Sequence, residues 1–157
     1  MNKTNAARLL DRAKIPYRLV EYPVDPDNLA ADHVAECLGE DINTVYKTLV
    51  LHGATTGYFV CVIPGNREVD LKKAARVSGN KKVEMIPMKD LLSVTGYIRG
   101  GCSPLGLKKP YPIFIQQDAL DLPEFYISAG QRGLQLCLSP TALIPYLHAT
   151  PADLTNA

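Results

Sequence analysis

The chain has 157 residues, 46% of them apolar, which suits one domain with a proper core. Its 17 lysines and arginines against 16 aspartates and glutamates leave a net charge of +1. That excludes a protein that grips nucleic acid over its whole surface but leaves room for a local basic patch. No window holds the roughly 18 apolar residues needed to span a bilayer, and the polar N-terminus is not a signal peptide. The four cysteines, Cys37, Cys61, Cys102 and Cys137, lie far apart with no Cys-x-x-Cys pair, and His33, His52 and His148 have no ligand spacing. Neither a zinc site nor a disulfide scaffold is expected. The bulk reading is a reduced, cytoplasmic domain with no metal, no cofactor and no membrane contact.

In chain order, Thr4 or Asn2 caps a first helix whose Ala6, Leu9, Leu10 and Ala13 follow i, i+3, i+4, i+7, and Pro16 stops it. Tyr17 to Tyr22 reads as a strand and Pro23 to Asn28 as a loop. A short helix follows near Asp32 to Leu38, with Val34, Cys37 and Leu38 inward and Gly39 at its end. Lys47 to His52 and Tyr58 to Ile63 form an antiparallel hairpin across Gly-Ala-Thr-Thr-Gly.

Asp70 caps a helix with Leu71, Ala74, Ala75 and Ser78 inward, Lys72, Lys73 and Arg76 on the other face, and Gly79 at its end. Val83 to Met85 is a short strand and Pro87 to Ser93 a short helix. After a loop from Arg99 to Gly106 come strands at Ile113 to Ile115, Phe125 to Ser128 and Leu134 to Leu138. A last helix starts at Ser139-Pro140 and is short or broken at Pro145. Strands that do not alternate regularly with helices point to an α+β fold with a mixed, mostly antiparallel sheet, as one domain over residues 1–157.

Lys47 is the most informative residue of the hairpin. Period-2 alternation puts it on the face of Val45, Leu49 and Leu51, the face a strand turns toward a core. A lysine is almost never fully buried without a partner, which makes Lys47 a candidate site residue. A second reading stays open, because a lysine on a strand also marks a sheet edge, where it blocks aggregation.

Two glycine loops carry the next signal. In Gly100-Gly101-Cys102-Ser103-Pro104-Leu105-Gly106 the glycines allow close backbone approach and a concavity of N–H groups suited to a carbonyl oxygen or phosphate. Ser128-Ala129-Gly130-Gln131-Arg132-Gly133 lies between two apolar strands. Either alone is commonly a plain turn, and neither has the lysine or strand–helix context of a nucleotide fingerprint.

Taken in order, Val45-x-Lys47-Thr48-Leu49, Asp70-Leu-Lys-Lys-Ala74, Thr95-Gly96-Tyr97, Gly100 to Gly106 and Ser128-Ala-Gly-x-Arg-Gly-Leu134 closely resemble the YbaK/EbsC family. These are free-standing relatives of the editing domain inserted in bacterial prolyl-tRNA synthetases. The likeness runs over about residues 3 to 150, and the YbaK branch of Cys-tRNA(Pro) deacylases is nearest through Gly-Gly-x-Ser-Pro-Leu-Gly.

The resemblance implies a sheet curled around a pocket for the aminoacylated 3′ end of tRNA. It implies clearance of cysteine misattached to tRNA(Pro), without a metal, and with prolyl-tRNA synthetase as a partner that selects the tRNA. It makes Lys47 the essential residue and lines the pocket with Gly100 to Pro104, so that the amides of Gly101, Cys102 and Ser103 are candidate oxyanion donors. Tyr22, Ser128, Gly130, Arg132, Gly133 and Gln135 complete the substrate set.

An aminoacyl ester is already activated, so positioning and oxyanion stabilisation carry most of the work. In YbaK-like enzymes the substrate thiol attacks its own ester carbonyl, which explains why no Ser-His-Asp or Cys-His-Asn set is needed. Cys102 as an enzyme-borne thiolate is a competing idea. Two departures bear on amino acid preference: Leu29-Ala30 stands where the family has a pocket aromatic, and Gln135 where it has an acid. For tRNA contact the candidates are Lys72, Lys73, Arg76, Lys81, Lys82, Lys108 and Lys109, with a solvated helix face as the alternative for the first three. The expectation is a deacylase for Cys-tRNA(Pro). A deacylase for another mischarged residue such as alanine, and a non-catalytic module that holds aminoacyl-tRNA or the synthetase, remain the alternatives.

Overall fold

The computed structural model describes residues 3–156, and its local structure follows the caps. Helix α1, Asn5–Ala13, starts where the Thr4 hydroxyl accepts the Ala7 N–H at 3.3 Å, and ends at Lys14 in the left-handed conformation (φ 59°). The other candidate cap, Asn2, lies outside the described residues. Strand β1 is Arg18–Glu21. Helix α2, Ala31–Leu38, closes on Gly39 at φ 69°. Its inward face is Val34 and Ala35, while Cys37 and Leu38 are only half-buried, a one-residue rotation from the spacing expected.

Strands β2, Tyr46–Gly53, and β3, Gly57–Pro64, form the expected hairpin. Asp70 caps helix α3, Leu71–Ser78, by accepting the N–H groups of Lys72 and Lys73 at 3.0 and 3.1 Å. Ala74 and Ala75 seat this helix on the sheet. Leu71, expected inward, is the first helical residue and stays 43% exposed. Strand β4 is Val83–Met85; a 3₁₀ turn over Met88–Asp90 then leads into helix α4, Leu91–Thr95, two residues further than the sequence suggests. Strands β5 (Ile113–Gln116), β6 (Phe125–Gln131) and β7 (Leu134–Leu138) precede helix α5, Pro140–Leu147. That helix continues through Pro145, because a proline so near the end removes one hydrogen bond and the buried Leu143 and Ile144 hold the turn.

The architecture is α+β, but the strands divide into two sheets where one curled sheet was expected. The first is antiparallel, in the order β1-β7-β6; the second is mixed, in the order β4-β2-β3-β5-β8, with β3–β5 and β5–β8 parallel. The last strand, β8 (Thr150–Ala152), carries no strand signal, since Pro151 sits in it; as an edge strand it tolerates the missing donor. A single parallel bridge, Val45 to Tyr126, joins the sheets. The main core, with Leu10, Tyr46, Val50, Phe125 and Ile127, lies between them. A second cluster of Leu51, Phe59, Cys61 and Ile63 sits under α3, and a third of Val34, Ala35, Val45 and Tyr126 clamps α2 at the seam.

Candidate active site

The site follows from a mismatch in strand length. β4 pairs with β2 only at Leu51 to Gly53, and the last contact is the Ile86 N–H on the Val50 carbonyl at 3.3 Å. On that side the stretch from Tyr46 to Leu49 has no strand partner among the described residues, and a cleft of about 610 Å³ opens along it. Strand alternation turns the Thr48 backbone groups toward this unpaired side, as it does those of Val50. The edge reading of Lys47 therefore fits its own segment. Its strand is internal in the sheet order, yet its own segment is an edge.

Lys47 lines the cleft with its side chain 26% exposed, and its Nζ lies 3.9 Å from Oε1 of the largely exposed Glu68. Leu49 and Leu51 share its face, as the alternation requires. Three buried polar atoms at or near the cleft make no hydrogen bond among the described residues: Thr48 Oγ1, Gln135 Oε1 and the Tyr46 hydroxyl. Burial and the Asp118 carboxylate push the Tyr46 hydroxyl well above its usual range. Buried polar groups are rarely left unpaired, so an atom that points at open cleft volume is a ready contact for a polar ligand.

Of the first glycine loop, Gly100 and Cys102 reach the cleft, whereas Gly101, Ser103 and Pro104 stand behind it. The Gly101 N–H donates to the Ile98 carbonyl at 2.9 Å, so it is not available as an oxyanion donor, contrary to expectation. Ser103 is fully buried and accepts the Leu105 N–H at 3.2 Å. The amides of Cys102 and Ser103 make no such bond among the described residues. The Cys102 thiol is pushed up to about 11, chiefly by burial with a hydrogen bond from Thr95 working against it, which argues against a thiolate nucleophile at neutral pH.

The second loop contributes Ser128 to the lining and β7 after it contributes Gln135, while Gly130, Arg132 and Gly133 serve as the loop's frame. A side chain on Gly101 would stand 3.1 Å from Gln131 Cα, so the two glycine loops pack backbone to backbone. Arg132 Nε donates to the Arg99 carbonyl at 2.8 Å, and the Gly133 carbonyl accepts the Tyr22 N–H at 3.0 Å. Gly130, at φ 103°, abuts the Tyr97 ring, and Tyr97 ties back to the Leu105 carbonyl. Tyr22, Leu29 and Ala30 all line the cleft.

Glu68, Arg99 and Thr48 line the cleft without having been among the expected site residues. Thr48 stood beside Lys47 and Arg99 beside Gly100, but nothing local marked Glu68 in its turn after β3. Among the basic candidates, Lys73 is committed elsewhere: its Nζ lies 2.7 Å from Asp153 Oδ2 and 2.8 Å from the Thr155 carbonyl. Lys72, Arg76, Lys81, Lys82 and Lys109 are exposed, Lys108 Nζ donates to the Ser93 carbonyl at 3.4 Å, and none of them lines the cleft. Among the described residues no three His, Cys, Asp or Glu side chains assemble as a metal set, and no helix is long and apolar enough to cross a membrane.

Residues 25–146 match the family described as the aminoacyl-tRNA editing domain. A relative in Enterococcus faecalis, provisionally named Cys-tRNA(Pro)/Cys-tRNA(Cys) deacylase EbsC, is 48% identical over 154 residues, covering 98% of this chain and 94% of that one. A proline–tRNA ligase of Cupriavidus necator is 24% identical over 84% of this chain, which matches 24% of the ligase. A crystal structure provisionally described as a trans-editing enzyme for prolyl tRNA synthetase superimposes with a TM-score of 0.80 at 26% identity, over 90% of this chain and 87% of that one.

Proposed function

The chain belongs to the aminoacyl-tRNA editing domain family, and from that premise we propose that it is a deacylase that clears cysteine from mischarged tRNA(Pro) in the cytoplasm. The observation that carries this reading is the cleft itself. It joins a lysine to polar groups without partners, yet none of the three histidines lines it to activate a hydroxyl, and burial pushes the Cys102 thiol up to about 11. The nucleophile then comes with the substrate. The cysteine thiol gives up its proton and its sulfur attacks the ester carbonyl. The bond to the ribose oxygen breaks, that oxygen takes the proton, and the products are free tRNA and a thiolactone.

Lys47 stabilises the charge that gathers on the ester oxygens, and the Cys102 amide is the loop donor best placed to share it. Thr48, Ser128 and Gln135 orient the aminoacyl group. The Ser128 hydroxyl accepts the Gly130 N–H at 3.1 Å and keeps its own proton to donate. Selection of tRNA(Pro) falls to prolyl-tRNA synthetase, which delivers the mischarged product. The name of the Enterococcus faecalis relative covers Cys-tRNA(Cys) as well, in keeping with a domain that does not itself discriminate the tRNA body.

The test is product identity and selectivity. Trapping of a thiolactone from Cys-tRNA(Pro), with Cys-tRNA(Cys) cleared equally until the synthetase is added, supports every part. Free cysteine as the first product sinks the thiol-assisted step. Indifference to the synthetase sinks the partner.

A further inference from the structure

Eight large apolar side chains stand exposed among the described residues, and four of them, Met85, Met88, Leu92 and Ile98, fall in one segment between residues 85 and 98. That segment makes one wall of the cleft, through Met85, Ile86, Met88 and Leu91. Met88 and Leu92, 58% and 54% exposed, stand four residues apart, one on the 3₁₀ turn and the other on the helix that continues it. A cluster of this kind at the mouth of a site marks a contact surface.

Charge says what it contacts. The far end of the open β2 stretch is walled by α2 and the loop before it, where residues 23–41 carry six carboxylates and no lysine or arginine. The Met88 wall carries both signs with cations in excess: the exposed Lys89 neighbours the apolar pair, Lys108 is tied to α4 through the Ser93 carbonyl and Arg99 lines the cleft, against the carboxylates of Glu84 and Asp90. A polyanion that enters the cleft is repelled by the first wall and admitted by the second. Apolar side chains interleaved with cations suit a single strand, whose bases offer flat faces between phosphates; a duplex needs the cations only.

We propose that this wall is the platform for the unpaired 3′ strand of the RNA, with bases lying on Met88 and Leu92 and phosphates on Lys89, Lys108 and Arg99. The assignment rests on the deacylase reading for what sits in the cleft. It moves the RNA path away from α3, where Lys72 and Arg76 are the obvious basic pair.

The test measures binding of a labelled RNA hairpin with a short single-stranded 3′ extension, beside its blunt counterpart, at about 50 mM salt. The proteins are wild type, the double variant Lys89→Glu with Leu92→Glu, and the double variant Lys72→Glu with Arg76→Glu, each checked for native circular dichroism. The expected result is preference of the wild type for the extended hairpin. The first variant then loses at least about tenfold and the second less than about twofold. Equal binding of blunt and extended RNA, loss in the α3 variant instead, or no RNA binding by the wild type would overturn the platform. So would a wall variant that loses the synthetase but keeps RNA. Cleavage of cysteinyl-adenosine, which lacks the strand, reports separately on the deacylase reading: that reading stands or falls without moving the platform.

Discussion

At the scale of single residues, the account turns on Lys47. Its ion pair with Glu68 is long and its partner is 82% exposed, so the pair adds little to stability. Lys47→Ala should therefore lower clearance of the cysteinyl ester by about 100-fold or more while the melting temperature barely moves, an oxyanion-stabilising effect of the usual size. A drop in both would make Lys47 a structural residue. Cys102 supplies a second prediction. Because burial holds its thiol up at about 11, the pH profile of clearance between pH 6 and 9 should keep its shape in Cys102→Ala, whatever the absolute rate. A limb that vanishes with the thiol would restore the nucleophile idea. The position of Lys47 on an inward face was legible from alternation alone. That Gly101 spends its N–H on Ile98 was not, because a glycine run does not declare which amides are already bonded.

At the scale of elements, caps and glycines made most helices readable: Thr4, Asp70 and Ser139 each accept the first-turn N–H groups that a cap should. Strand β8 was illegible for the opposite reason, since distant groups hold it. Buried Gln116 accepts the Leu154 N–H at 2.7 Å and donates to Asp118 at 2.8 Å and Asp153 at 3.3 Å, while Lys73 clasps Asp153 from α3. Gln116→Leu leaves the Leu154 N–H buried without a partner and should cost about 2 to 3 kcal/mol in chemical denaturation. A cost within about 0.5 kcal/mol would show that backbone pairing with β5 is enough to hold the strand.

At the scale of the whole molecule, the α+β class followed from the order of elements, but the split into two sheets did not. The sheets share the core in which the Tyr46 and Phe125 rings meet edge to face, with a backbone bridge at Val45 and Tyr126, while the short β4 leaves half of β2 open as a cleft. The buried thiols carry a global consequence. Burial pushes Cys61 up to about 12 and Cys102 up to about 11, from a usual 9.0. Above pH 9 the unfolded chain gives up these protons first, so their contribution is intact below that pH and is lost as pH rises toward 11 and 12. Stability should fall at up to about 1.4 kcal/mol per pH unit for each thiol, with a shallower slope in Cys61→Ala; equal slopes would place the alkaline sensitivity elsewhere. The most direct test of the account as a whole is release of labelled amino acid from Cys-tRNA(Pro), Ala-tRNA(Pro) and Pro-tRNA(Pro), with wild type and Lys47→Ala side by side. Clearance of the cysteinyl ester alone, abolished in the variant, is the predicted result. Clearance of the alanyl ester would require water as the nucleophile, and no clearance of any ester with RNA binding retained would make the chain a binding module.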